Sequence, residues 1–119
     1  MKPMARNSEQ KIVTILNGAA ISEAVFFAPF VSGVLHMPAA WTAAGIGFLV
    51  CSTPDGTFLP LLEEDGATYV LITGPAVDQA YVLPDKLAGA LHFQLWSNDG
   101  IGGDTNQGAD RVITLELKT

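Results

Sequence analysis

Turn signals recur along this chain at intervals that leave room for short strands and little else. Asn17-Gly18, Ala28-Pro29, Pro38, Asp55-Gly56, Asp65-Gly66, Gly74-Pro75 and Pro84-Asp85 each interrupt a run of apolar or β-branched residues. Glycine supplies the positive φ that tight turns need, and proline removes a ladder donor, so such pairs close strands. The runs between them carry the two-residue period of a half-buried sheet.

On that pattern, strands are expected over residues 11–16, 22–27, 31–37, 45–52, 57–62, 68–73, 79–83, 90–97 and 111–118. The eighth sets Leu91, Phe93 and Leu95 on one face and His92, Gln94 and Trp96 on the other. In the last, Ile113, Leu115 and Leu117 lie opposite Val112, Thr114 and Glu116. Residues 38–44 suit a short helical turn or a loop, 85–89 a single helical turn, and 98–108 a long Gly/Asn/Asp loop. About nine short strands spaced about 8–14 residues apart predict an all-β fold, an antiparallel β-sandwich of jelly-roll-like type. One such domain is expected over residues 11–119, with residues 1–10 as a flexible N-terminal arm.

Composition excludes several functions. Six Lys and Arg stand against twelve Asp and Glu, a formal net charge of −6, and no Lys or Arg occurs between residues 12 and 85. A basic patch able to follow a phosphate backbone cannot be assembled from these, so no nucleic-acid partner is expected. Residues 24–54 carry no charge, a run long enough by count to cross a bilayer. Pro29 and Pro38 break it, Ser32 and His36 interrupt it, and no basic cluster flanks it, so no membrane partner is expected either. Residues 1–11 lack the apolar centre of a signal peptide. The single Cys51 rules out an internal disulfide framework. Charged residues make up 15% of the chain and hydrophobic ones 49%, where an average domain is about 25% charged. Such a surface is suited to being hidden against something else.

Chemistry is sparse. His36 and His92 each stand in a strand with no neighbouring ligand type, so no metal is expected and both read as half-buried residues of a sheet face. Cys51, in an apolar run, reads as a small core residue. No G-x-S-x-G, P-loop or complete G-x-G-x-x-G motif occurs. Glu63, Glu64 and Asp65 at a hairpin tip, and Asp99, Asp104 and Asn106 in the long loop, are the carboxylate-rich places where calcium or a glycosidase pair would have to be built. Their spacing matches no such site, and Asp-Gly and Asn-Gly pairs serve turns. Neither an enzymatic activity nor a cofactor is expected. Trp41 and Trp96 are candidates to stack on sugar rings or to fill an interface, though a core position is the commoner fate of tryptophan. Arg111 is expected to pair with a carboxylate of the preceding loop.

Three pieces of the sequence carry a resemblance. Met37-Pro38-Ala39-Ala40-Trp41-Thr42-Ala43-Ala44 is followed by Phe48 and Ser52. Asp55-Gly56-Thr57-Phe58, Pro60-Leu61 and Asp65-Gly66 come next, and Gln107-Gly108-Ala109-Asp110-Arg111 leads into the last strand. Together they cover about half the chain and resemble small tailed-bacteriophage virion proteins. The resemblance implies a β-sandwich of the capsid decoration, or cement, type. Such a protein is made in the host cytoplasm, binds the major capsid protein on the outer surface of a phage head and stabilises it. It implies a homo-oligomer, a trimer at three-fold lattice positions. Lys2, Arg6 and Lys11 of the arm would then meet acidic capsid surface. Similar modules occur in tail and fibre proteins, so a host- or glycan-binding module using Trp41 or Trp96 is the alternative. No catalytic residue is carried over by the resemblance.

Overall fold

The strongest alternation in the sequence becomes the centre of one sheet. Ile113, Leu115 and Leu117 are fully buried, and the strand that carries them is hydrogen-bonded on both sides. The structure, a computed structural model, describes residues 8–53 and 55–119. Its strands are β1 (Ser8–Ile15), β2 (Val25–Phe26), β3 (Ser32–His36), β4 (Gly45–Cys51), β5 (Leu59–Pro60), β6 (Leu71–Ile72), β7 (Ala80–Val82), β8 (His92–Asn98) and β9 (Arg111–Lys118). A single 3-10 turn, Asp85–Gly89, precedes β8.

One sheet has the order β1-β9-β3-β7 and the other β2-β8-β4-β5, with β6 also on β4. All pairings are antiparallel. Leu49 and Val50 face Pro60 and Leu59, and Ile46 and Gly47 face Ile72 and Leu71, so β5 and β6 share one side of β4. Elsewhere successive strands cross from sheet to sheet, which is the winding of a jelly roll. The expected all-β antiparallel sandwich is the fold observed.

Between the sheets the inward residues form one core. Phe93 of β8 sits at its middle, edge-on to Phe27 at 5.3 Å and to Phe48 at 5.9 Å between ring centroids. Leu35, Leu115 and Leu117 face it from the other sheet.

Boundaries differ from expectation in physically readable ways. β1 begins at Ser8 rather than at residue 11, because Ser8, Glu9 and Gln10 pair with Lys118, Leu117 and Glu116; those three residues belong to the sheet, not to an arm. β2 is cut to Val25–Phe26, and residues 20–22 follow β8 by backbone bonds such as Ser97 N–H to Ala20 O (2.7 Å). Residues 38–44 form a loop.

Truncating Phe93 to Ala removes the ring that both aromatic neighbours pack on. A loss of about 3–5 kcal/mol in unfolding free energy is expected, measured by urea denaturation.

Candidate functional site

The first and last segments that carry the resemblance meet at one end of the sandwich. Thr42, in the loop before β4, and Gln107, in the loop before β9, bind each other twice: the Thr42 N–H donates to Gln107 Oε1 (2.9 Å), and Gln107 Nε2 donates to the Thr42 carbonyl (3.1 Å). Gln107 Nε2 also reaches Ser97 Oγ (2.8 Å), which donates to the Thr105 carbonyl (2.7 Å). Gln107 is 1% exposed. Its backbone continues the joint, accepting from Gly18 N–H and donating to Ala19 O. Neither residue was marked by charge or periodicity. The signal available was their presence in the two motif segments.

Arg111 completes this joint and corrects the expectation of a carboxylate partner. Its Nε donates to Gln107 Oε1 (3.1 Å) and its Nη2 to Thr42 Oγ1 (3.2 Å). The adjacent Asp110 accepts instead from the Asn17 N–H (2.8 Å), in the turn after β1.

Trp96 lies on the outer side of its sheet yet is 4% exposed. Tyr69 packs on it edge-on at 5.4 Å, Ile21 bridges it, and Asp104 Oδ1 takes its indole N–H at 2.7 Å. Burial to that degree leaves no ring face for a sugar. Trp41 is half-buried against the core, with its indole N–H on the Ala44 carbonyl (3.1 Å). The two rings are held separately by different loops. Lys2 and Arg6 lie outside the described residues. Lys11 is on β1 and pairs with Glu9 (3.2 Å).

The loop carboxylates hold turns. Asp99 Oδ1 accepts from Ile101 and Gly103 N–H (2.9 Å each), around Gly100 and Gly102 at φ 88° and 100°, and those two bonds lower its pKa. Asp65 accepts from the Thr68 hydroxyl (2.5 Å) and from the Thr68 and Ala67 N–H groups (2.8 Å each). The hydroxyl bond, then the two backbone bonds, hold its carboxyl down to about 2. Glu63 pairs with Lys86, whose pKa it raises. Among the described residues, no three His, Cys, Asp or Glu side chains gather as a metal site. No helix is long and apolar enough to cross a membrane. His36 and His92 are half-buried on sheet faces as expected; His36 Nε2 meets Glu116 Oε1 at 2.5 Å and the His92 ring lies 5.3 Å from Phe26.

A cleft of about 410 Å³ opens between the end of β4 and the segment after the 3-10 turn, lined by Val50, Leu59, Ala90 and Leu91 with Cys51. Cys51 is thus partly exposed rather than a core residue. Among the described residues lining the cleft there is no His, Asp or Glu; the Cys51 thiol lies 3.9 Å from Thr53 Oγ1, and His92 is the cross-strand neighbour of Cys51 on β8.

The broad feature with capacity for interaction is the outer face of β1-β9-β3-β7. Cross-strand partners share a face, so Ile12 lies with Thr114, Thr14 with Val112, and Val34 with Val82. Ile12, Val112 and Val82 are 63%, 50% and 71% exposed. The charges across the middle of this face are the paired His36 and Glu116.

No family model and no curated protein matches the chain. Its fold is similar to that in the crystal structure of SPBc2 prophage-derived protein YomS, with a TM-score of 0.55 over 99% of this chain and 100% of that one, at 12% sequence identity. The likeness concerns the fold.

Three outcomes are expected here. Gln107→Leu strands the Thr42 N–H and the Thr42 carbonyl and should cost about 2–3 kcal/mol by denaturant titration. Asp65 should remain ionised by NMR titration as pH falls through its ordinary 3.8. Its folded pKa is depressed, so its contribution to stability is present above that ordinary value and fades toward pH 2. Thr68→Val should move the titration upward.

Proposed function

We propose that this chain is a non-enzymatic phage virion protein that docks on the major capsid protein and stabilises the head as a decoration protein. The observation that carries the reading is the broad, exposed and nearly uncharged outer face of β1-β9-β3-β7, with Ile12, Val82 and Val112 open to solvent. Exposed apolar side chains gathered on one sheet face, here on either side of the His36–Glu116 pair, suit an interaction site. A rigid sheet also presents it without the entropy cost of ordering a loop.

Three further points support it. The resemblance carried by residues 37–66 and 107–111 points to virion proteins, and a chain of similar fold is prophage-derived. The long-loop carboxylate Asp99 is spent on its own turn, which fits a structural rather than a catalytic use. Partner contact would then be made mainly by burial of apolar area, with charge playing little part. Binding should accordingly resist salt, in contrast to a mainly electrostatic contact.

Co-sedimentation with shells assembled from the major head protein of the same genome tests this. Saturable binding at a fixed ratio to capsid subunits is expected, little changed by raising the salt. Val82→Glu and Val112→Glu, both on exposed positions, should weaken it by tenfold or more while leaving the circular dichroism spectrum unchanged. A folded protein that fails to sediment with the shells would turn attention to a tail or fibre location.

A further inference from the structure

Two open sheets have four edges, and three of these are short or blunted. β7 is three residues long, β2 is two, and β5 is two and includes Pro60. Short edge strands and proline are ordinary means of keeping an edge from pairing. β1 is different: it is eight residues long, with β9 on one side only.

Which backbone groups of β1 point outward follows from two bonds. The Thr14 N–H is taken by the Glu23 carboxylate, at 3.1 and 3.2 Å from its two oxygens, so Thr14 faces away from β9. At the other end, Ser8 is opposite Lys118, whose carbonyl accepts from Val31 at the start of β3 and so turns away from β1. Antiparallel alternation then makes Ser8, Gln10, Ile12 and Thr14 the residues whose N–H and C=O groups face outward. Among the described residues, it is at Thr14 that a side chain occupies this edge.

We infer that β1 pairs with β1 of a second copy of this chain, antiparallel about a two-fold axis, with Gln10 opposite Gln10 of the partner subunit. In that register Ser8 lies opposite Ile12 of the partner subunit, and about six backbone hydrogen bonds form, two for each outward-facing pair. The side chains select it. Glu9 comes to lie opposite Lys11 of the partner subunit, and Lys11 opposite Glu9 of the partner subunit. Since Glu9 and Lys11 already pair within one chain at 3.2 Å, the four charges close into a ring of alternating sign. The adjacent registers that still set outward residues against outward residues place Lys11 against Lys11 or Glu9 against Glu9, and like charges directly opposite are destabilising. Glu23, covering the Thr14 N–H, ends the new ladder after Ile12. The contact is isologous, so it closes at two copies, where the resemblance implies three. It stands independently of the capsid reading.

Sedimentation equilibrium of the full chain tests the inference. The expected species is twice the 12.5 kDa chain mass. Gln10→Pro removes an outward donor and no bond to β9, so it should give a folded monomer. Glu9→Lys and Lys11→Glu should each weaken self-association at least tenfold, about what two reversed cross-strand charge pairs are worth. Mixing those two variants should restore a dimer, because each then supplies the charge the other lacks opposite. A wild-type monomer up to the solubility limit, a trimer, or single variants that dimerise as well as wild type would overturn the pairing. So would a mixture that associates no more tightly than its parts.

Discussion

The buried amide of Gln107 is the contact that ties together the loops and strand ends of both sheets at one end of the sandwich. A primary amide offers two donors and an acceptor oxygen with two lone pairs, and here all are used: Nε2 on the Thr42 carbonyl and Ser97 Oγ, Oε1 on the Thr42 N–H and Arg111 Nε. Loops that cross the end of a sandwich carry backbone groups with no ladder partner, and leaving those groups buried and unpaired is costly. Gln107 answers for the loop before β4 and for β8 at once. It also seats Arg111, the first residue of β9, which both β1 and β3 pair with. Displacing that amide would shift the start of the strand through which the four-stranded sheet is assembled. A carboxylate in its place would have no donor for the Thr42 carbonyl, and an aliphatic side chain would serve neither loop.

Local signals were enough for the long strands. In β8 and β9 the apolar period is unbroken, and Phe93, Leu95, Ile113, Leu115 and Leu117 are all fully buried. The 3-10 turn after Pro84 was legible from its turn chemistry. The short strands were less so, because β2, β5 and β6 owe their extent to what lies beside them. Trp96 shows the same limit for burial. Its strand pattern puts it on the outer face, and only the arrival of Ile21, Tyr69 and Asp104 from distant parts of the chain covers it. The Arg111 partner was misjudged for a related reason. Charge arithmetic suggests a carboxylate, but Asp110 turns to cap the β1 turn and the amide of Gln107 is what the guanidinium meets. Of the candidate interface, the sequence showed that surface would be sparsely charged, without showing that the exposed β-branched residues gather on one sheet.

The distribution of acids follows from the same economy of charge. Asp65, Asp99, Asp104 and Asp110 each accept hydrogen bonds that fix a loop or turn. Glu23 caps the Thr14 N–H. Carboxylates employed this way are anchored beside the groups they serve. The outer face of the four-stranded sheet is left with the His36–Glu116 pair across its middle and Lys118 at the end of β9. A protein with a formal charge of −6 can therefore present a face on which apolar contact decides the partner.

The edge and the face bear on each other through symmetry. A two-fold axis that joins two antiparallel β1 strands runs perpendicular to the sheet, so both copies turn their outer faces to the same side. The combined sheet would have the order β7-β3-β9-β1 followed by its mirror sequence, and Val82, Val112 and Ile12 would each occur twice on one continuous surface. Two weak apolar contacts held together act with the effective concentration of a linked pair, which multiplies affinity without a new contact on either copy. The gain depends on shape. Neighbouring strands twist by about 20–25°, so an eight-stranded sheet is saddle-shaped, and its two Val82 ends are rotated well away from each other. A flat target would meet one end of the pair at a time, whereas a surface with matching two-fold curvature would meet both. Pairing at the edge thus narrows what the face can bind: it favours a repeating or curved array over an isolated flat domain.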